Sequence, residues 1–213
     1  MWKLLNNTWV ISDTHFNHRT MIEKKIRPKD YQERTIREWK RLVKDTDIII
    51  HLWDVIFDRP SELKGILADL PGYKILVKGN HDKNKTQWYI DKGFNEVHDS
   101  YTIRLRNRKQ VTLIHKPSAI KDCDIEVNGH LHNYKGNNIF RHKEYLTLTG
   151  KNRIYSLELE NYQPILLPSI VSEYHQSCKY IKLNSTFKRR MKYYIHQGKK
   201  ILTKKRKLIF TNP

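Results

Sequence analysis

Lys78-Gly79-Asn80-His81-Asp82 follows directly on Tyr73-Lys74-Ile75-Leu76-Val77. The apolar run reads as a buried strand, and Gly79 lets the backbone turn sharply where that strand ends. The next three residues offer an amide oxygen, an imidazole and a carboxylate. Upstream, Asp13-Thr14-His15 follows Thr8-Trp9-Val10-Ile11-Ser12, and Asp54 closes the run that starts Asp47-Ile48-Ile49-Ile50. Downstream, His115 ends Gln110-Val111-Thr112-Leu113-Ile114, and Gly129-His130-Leu131-His132 follows Asp124-Ile125-Glu126-Val127-Asn128. Each polar group stands at or just past the end of a strand-like run. Ligands of open α/β sheets bind outside the carboxyl ends of strands, so the order predicts one site built from several strand ends.

Helical patterns separate these runs. Asp30-Tyr31-Gln32-Glu33 reads as an N-cap with a capping-box glutamate. Ile36, Trp39, Leu42 and Val43 then recur at helical spacing, which predicts a helix packed on a sheet with Trp39 in the core. A short helix is expected over Ser61 to Leu70, ended by the turn Pro71-Gly72. Residues Tyr101 to Leu105 and Gln110 to Ile114 alternate around Arg106-Asn107-Arg108-Lys109, the pattern of a β-hairpin with a basic turn. Further strands are expected over 137–149 and Arg153 to Leu159, and a closing helix over Pro168 to Gln176.

The donor types point to metal chemistry. Asp13 and His15 are two residues apart, so one tight turn can aim both at one ion. A hard carboxylate beside an imidazole suits Mn, Fe or Zn more than Ca. His130 and His132, also two apart, can reach two different ions from one extended segment. The two cysteines, Cys123 and Cys178, form no CxxC pair. That fits a reducing compartment and argues against a structural zinc site, which usually takes at least two thiolates.

The ordered set DxH, D, GNHD, H, GHxH resembles the calcineurin-like metallophosphoesterase family, over about residues 8–170. The resemblance implies a four-layer α/β/β/α sandwich and hydrolysis of a phosphate ester at two divalent metal ions. Manganese is the first expectation; Fe, Zn, Ni and Mg are compatible. By the same resemblance one ion takes Asp13, His15, Asp54 and His132, and the other takes Asp54, Asn80, His115 and His130. Asp54 is then the bridge, offsetting the repulsion of two close cations. His81 would face the phosphate as the catalytic group, with Asp82 orienting its imidazole. His18 and Arg19 would contact substrate phosphate, or else be surface residues at a helix start. One position departs from the family pattern: Trp53 stands where the family has glycine before the bridging aspartate. Either the backbone adapts and the indole lines the substrate pocket, or the site is strained and weakened.

Charge supplies the remaining expectations. The 213 residues carry 41 Lys+Arg against 22 Asp+Glu, a net charge of +19. Such an excess favours polyanionic partners, nucleic acid first and an anionic membrane surface second. Twelve of the cations fall after Glu173, where no acidic residue remains, interleaved with Tyr180, Phe187, Tyr193, Tyr194 and Phe210. Cations beside rings that can stack on bases fit nucleic-acid binding. The chain therefore divides into a metallophosphoesterase-like domain, 1–177, and a basic C-terminal extension, 178–213. No apolar run approaches the ~20 residues of a membrane span, and a cytoplasmic location is expected. The leading functional expectation is a phosphodiesterase or nuclease acting on nucleic acid or nucleotides. The alternatives are a nucleotide phosphomonoesterase and a weakened enzyme scaffold that binds nucleic acid.

Overall fold

The computed structural model of the chain describes residues 6–79, 81–105, 109–115, 123–130, 152–154 and 161–171, with the backbone alone for 152–154 and 171. Asn80, His132, the expected strands over 137–149 and the basic extension lie outside the described residues, as does most of the closing helix expected to Gln176.

Two sheets carry the fold. The first has the order β4-β3-β2-β1-β9, formed by β1 (Thr8–Ser12), β2 (Ile48–Leu52), β3 (Tyr73–Val77), β4 (Glu96–His98) and β9 (Ile165–Leu166). Strands β1 to β4 are parallel, and β9 joins β1 antiparallel. The second sheet has the order β5-β6-β7-β8, formed by β5 (Ser100–Arg104), β6 (Gln110–Ile114), β7 (Ile125–Asn128) and β8 (Asn152–Ile154). There β5 and β6 make the expected antiparallel hairpin, while β6, β7 and β8 run parallel. Parallel strands are covered on both faces, which is why β1 to β3 read as nearly continuous apolar runs. One core joins Val10, Ile11, Ile49, Ile50 and Leu76 of the first sheet to Val111, Leu113, Ile125 and Val127 of the second.

The helices are α1 (Arg19–Glu23), α2 (Tyr31–Leu42), α3 (Leu63–Ala68, after a 3-10 turn at Pro60–Glu62), α4 (Thr86–Lys92) and α5 (Leu167–Val171). Helix α2 buries Tyr31, Thr35 and Trp39 at four-residue spacing, and Trp39 is a core residue as expected. Its start differs from expectation. Asp30 occupies the N-cap position without a side-chain cap. Its carboxylate instead accepts from Arg34 Nε at 2.6 Å, because a guanidinium one turn on competes with the backbone amides. The mixed α/β fold with two sheets follows the sequence reading. Among those residues no helix is long and apolar enough to cross a membrane.

Register decides what the fold can do. Ser12 pairs with Leu52, and Leu52 with Val77, so three parallel strands end level. In the second sheet Ile114 pairs with Asn128, so β6 and β7 end level too.

His51, in the middle of β2, was not singled out by its sequence context. It is fully buried. Its Nε2 lies 2.9 Å from Thr14 Oγ1, and that hydroxyl is 2.9 Å from the Val55 carbonyl. The hydroxyl proton goes to the carbonyl, so His51 donates from Nε2. Burial pushes its pKa down to about 3. An unfolded histidine titrates near 6.5, so the stability tied to neutral His51 is present above that pH and lost as pH falls below it. Between pH 7 and pH 5 the loss is about 2 kcal/mol. Urea unfolding at both pH values should show that His51→Phe reduces the wild-type drop by about this amount. An unchanged pH dependence in the variant would remove His51 as its source.

Candidate metal centre

Because β1 and β2 end level, the residues that follow them continue to pair. The Asp13 amide donates to the Trp53 carbonyl at 3.0 Å, His15 to Asp54 at 2.9 Å, and Phe16 to Val55 at 2.8 Å. The backbone changes hand as it does so. Asp13, His15, Trp53 and Asp54 have φ of 51°, 47°, 69° and 45°, and His130 after β7 has 63°. A left-handed conformation costs a non-glycine residue roughly 1–2 kcal/mol, and such strain collects at functional sites. Of the five candidate ligands among the described residues, only His115 avoids it.

Three side chains hold this backbone. Buried Arg27 donates from Nη1 to the Thr14 carbonyl at 2.9 Å and from Nη2 to the Asp13 carbonyl at 2.7 Å. The Tyr31 hydroxyl donates to the next carbonyl, that of His15, and the Arg27 guanidinium lies 5.1 Å from the Tyr31 ring centroid. Three consecutive carbonyls are thus satisfied from the segment entering α2. The third brace is Asp82. Its carboxylate accepts the amides of Asp54 and Gly79 at 3.0 Å each, and that of Val55 at 3.4 Å. Burial pushes its pKa up, while the amide donors pull the other way by favouring the ionised form. Helix α4 has Lys85 at its N-cap position with no side-chain cap, so the Asp82 carboxylate serves the loops and not the helix end.

Sequence reasoning missed Arg27 and Tyr31 as parts of the site. Arg27 looks like any loop cation, and Tyr31 like any first-turn apolar residue. Nothing in their neighbours signals the carbonyls they meet.

The glycines admit the close approach of these loops. A Cβ on Gly79 would stand 2.7 Å from Trp53 Cβ and 2.8 Å from Asp54 Oδ1. Gly79 is therefore required for contact more than for a sharp turn. A Cβ on Gly129 would stand 2.5 Å from Asp13 Oδ2, the oxygen that also accepts the His130 amide at 3.1 Å.

Two triads of donors result: Asp13, His15 and Asp54, and Asp54, His115 and His130. Within each, one donor atom per residue lies within 4.8 Å of the others. His15 Nε2 is 4.0 Å from Asp13 Oδ1 and 3.9 Å from Asp54 Oδ2. Those separations exceed a hydrogen bond and do not exceed the span of roughly 4.0–4.4 Å that two donors at about 2.0–2.2 Å on opposite sides of one cation would have, and a bound ion would draw the donors somewhat closer. Carboxylate and imidazole together suit Mn, Fe or Zn, so the residues present fit a divalent metal pair that shares Asp54. His115 and His130 meet edge to face, with centroids 4.5 Å apart. The structure thus brings together Asp13, His15, Asp54, His115 and His130; the other two expected ligands, Asn80 and His132, lie outside the described residues.

The remaining candidates sort differently. His81 is exposed at the rim, its amide 3.3 Å from Asp54 Oδ1. The His18 ring lies against His15 rather than standing free, with the two Nδ1 atoms 3.0 Å apart. Arg19 turns its guanidinium to solvent and pairs with Glu23 at 2.7 Å. Trp53 does not line a substrate pocket, because its side chain is completely buried. The indole packs at 4.6 Å from the His115 ring, beneath Gly79 and Gly129. It adopts the left-handed φ that glycine would supply and fills the space behind the donors.

Three comparisons bear on this centre. Residues 7–168 match the family described as calcineurin-like phosphoesterase. An uncharacterised protein of Methanocaldococcus jannaschii is 28% identical over 178 residues, covering 78% of this chain and 90% of its own. The gene 66 protein of Mycobacterium phage L5 is 30% identical over 84 residues, covering 37% of this chain and 41% of its own. The crystal structure of a protein of unknown function from Aquifex aeolicus superposes with a TM-score of 0.57 at 27% identity, covering 74% of this chain and 94% of that one.

Burial reverses what the family pattern suggests for Trp53. Emptying the site of a buried tryptophan costs about 3–5 kcal/mol, whereas relieving its left-handed φ returns roughly 1–2 kcal/mol. Trp53→Gly is expected to lower the unfolding free energy by about 2–3 kcal/mol, read from urea midpoints at constant m. A variant as stable as wild type would show that the indole does not support the centre.

Proposed function

The chain belongs to the calcineurin-like phosphoesterase family, and we propose that it is a divalent-metal-dependent phosphodiesterase acting on nucleic acid or nucleotides. The observation that carries the metal-dependent part is the pair of donor triads sharing Asp54. Asn80 and His132 complete the two ligand sets in this reading. When bound, two divalent cations neutralise phosphoryl oxygens and make a water acidic enough to attack at neutral pH.

The chain's own residues supply the rest. Asp54 holds both sets of donors to one point, so the reacting phosphate has one defined seat. His81, exposed at the rim beside Asp54, carries a proton to the leaving oxygen; such general acid catalysis contributes around 10²–10⁴-fold. Asp82 fixes the loop that presents His81 by holding the amides of Gly79, Asp54 and Val55, and its negative charge favours protonated His81. His18 closes the same rim. The diester preference rests on the net charge of +19 and on the twelve cations of the extension. The reading of a weakened, binding-only scaffold rested on Trp53. Full burial of that indole, with the donors still converging around it, favours a working centre.

Asp54→Asn should lose ions at both sites, since one charge serves both triads, and should lose hydrolysis of chromogenic phosphodiester and phosphomonoester alike. Elemental analysis of metal per chain checks it, and two ions retained would remove Asp54 as the bridge. In the wild type with Mn²⁺, faster turnover of the monoester would overturn the diesterase preference.

Truncation after Gln176 tests the extension. Hydrolysis of the small diester should stay, while affinity for single-stranded DNA falls and its salt dependence flattens. Each cation engaged contributes about −0.7 to the slope of log K against log[salt] on single strands. Undiminished DNA affinity in the truncated protein would overturn the assignment, and binding to anionic vesicles alone would make the extension a membrane contact instead.

A further inference from the structure

His15 must keep the Nε2 lone pair free if it is to ligate, because that nitrogen faces Asp13 and Asp54. A neutral imidazole has one proton, so the proton of His15 then belongs on Nδ1. That nitrogen lies 3.0 Å from Nδ1 of His18. Two ring nitrogens at this distance need one proton between them: two would collide, and none would leave lone pairs opposed. The rings of His15 and His18 lie within 16° of coplanar orientation, with centroids 5.2 Å apart, as an edge-to-edge hydrogen bond requires. Phe57 lies parallel to both, at 4.6 Å and 11° from His15 and at 4.0 Å and 7° from His18. The turn is fixed as well: the His18 amide donates to the His15 carbonyl at 3.1 Å, and the Arg19 amide to Asp58 at 2.9 Å.

We propose that His18 is a positioning residue of the metal centre: its Nδ1 accepts the Nδ1 proton of His15 and so holds His15 in the tautomer whose Nε2 can ligate. Phe57 keeps the two rings in register for that bond. His18 then carries its own proton on Nε2. The inference rests on reading the two triads as a divalent-metal centre. Partners of this kind orient ligating histidines and raise their basicity, and losing one typically costs 10–100-fold in metal affinity.

The experiment uses the full chain and Mn²⁺ alone, with affinity and stoichiometry from calorimetry. His18→Phe keeps a ring on Phe57 but offers no acceptor. It should weaken Mn²⁺ binding about 10–100-fold, with an unchanged circular dichroism spectrum. His18→Gln restores an acceptor oxygen and should recover part of the loss. Nitrogen-15 spectra of the metal-free wild type should show His15 protonated on Nδ1, a readout independent of whether any variant folds. A folded His18→Phe protein with wild-type Mn²⁺ affinity, or His15 protonated on Nε2, would overturn the assignment. Wild-type protein that binds no Mn²⁺, Zn²⁺ or Fe²⁺ would remove the centre itself and this role with it.

Discussion

The buried carboxylate of Asp82 is the contact on which the site depends. It accepts amides from Gly79, at the end of β3, and from Asp54 and Val55, just after β2. Two loops from neighbouring strands are thereby tied to one charged group. A carboxylate can satisfy three donors at once, which a neutral amide side chain cannot do. Charge-assisted bonds of this kind are about twice as strong as neutral ones. Without them the amides of Asp54 and Val55 would be buried donors in need of other acceptors.

That tie makes the left-handed backbone affordable. Asp13, His15, Trp53 and Asp54 each occupy a region that side chains disfavour. Their carbonyls and amides pair across the two loops, and Arg27 and Tyr31 take three further carbonyls. The same reversal that costs conformational energy turns the donor side chains towards one another. A right-handed turn at these positions would aim Asp13, His15 and Asp54 differently, and the donors would not converge.

Trp53 shows how such a site tolerates an unusual residue. The position needs positive φ, which a tryptophan can adopt at a cost, and it needs close approach by Gly79. The indole lies buried beneath Gly79 and Gly129, with its ring 4.6 Å from that of His115. Burial of a large ring outweighs the backbone penalty by the measure of each. His51 and Thr14 form a second buried layer behind β1 and β2, so the donors rest on packed side chains rather than on mobile loops.

The runs that became β1, β2, β3, β5, β6 and β7 could be read from sequence, because they depend on local periodicity, whereas the short β4 and β9 and the order of strands in each sheet could not. Runs such as Thr8 to Ser12 and Tyr73 to Val77 are strands with the bounds their apolar patterns suggest. The family pattern points to Asp13, His15, Asp54, His115 and His130, and these five side chains stand together at the strand ends. What sequence could not carry was contact between residues far apart in the chain. The service of Arg27 to the carbonyls of Asp13 and Thr14, the burial of Trp53, the amide cage around Asp82 and the bond between His15 and His18 arise only when strand ends stand level. Sequence determined which groups could bind a metal and in what order they come. Tertiary structure decided which of them face one another, because backbone hand and loop-to-loop distance have no local signature in a chain.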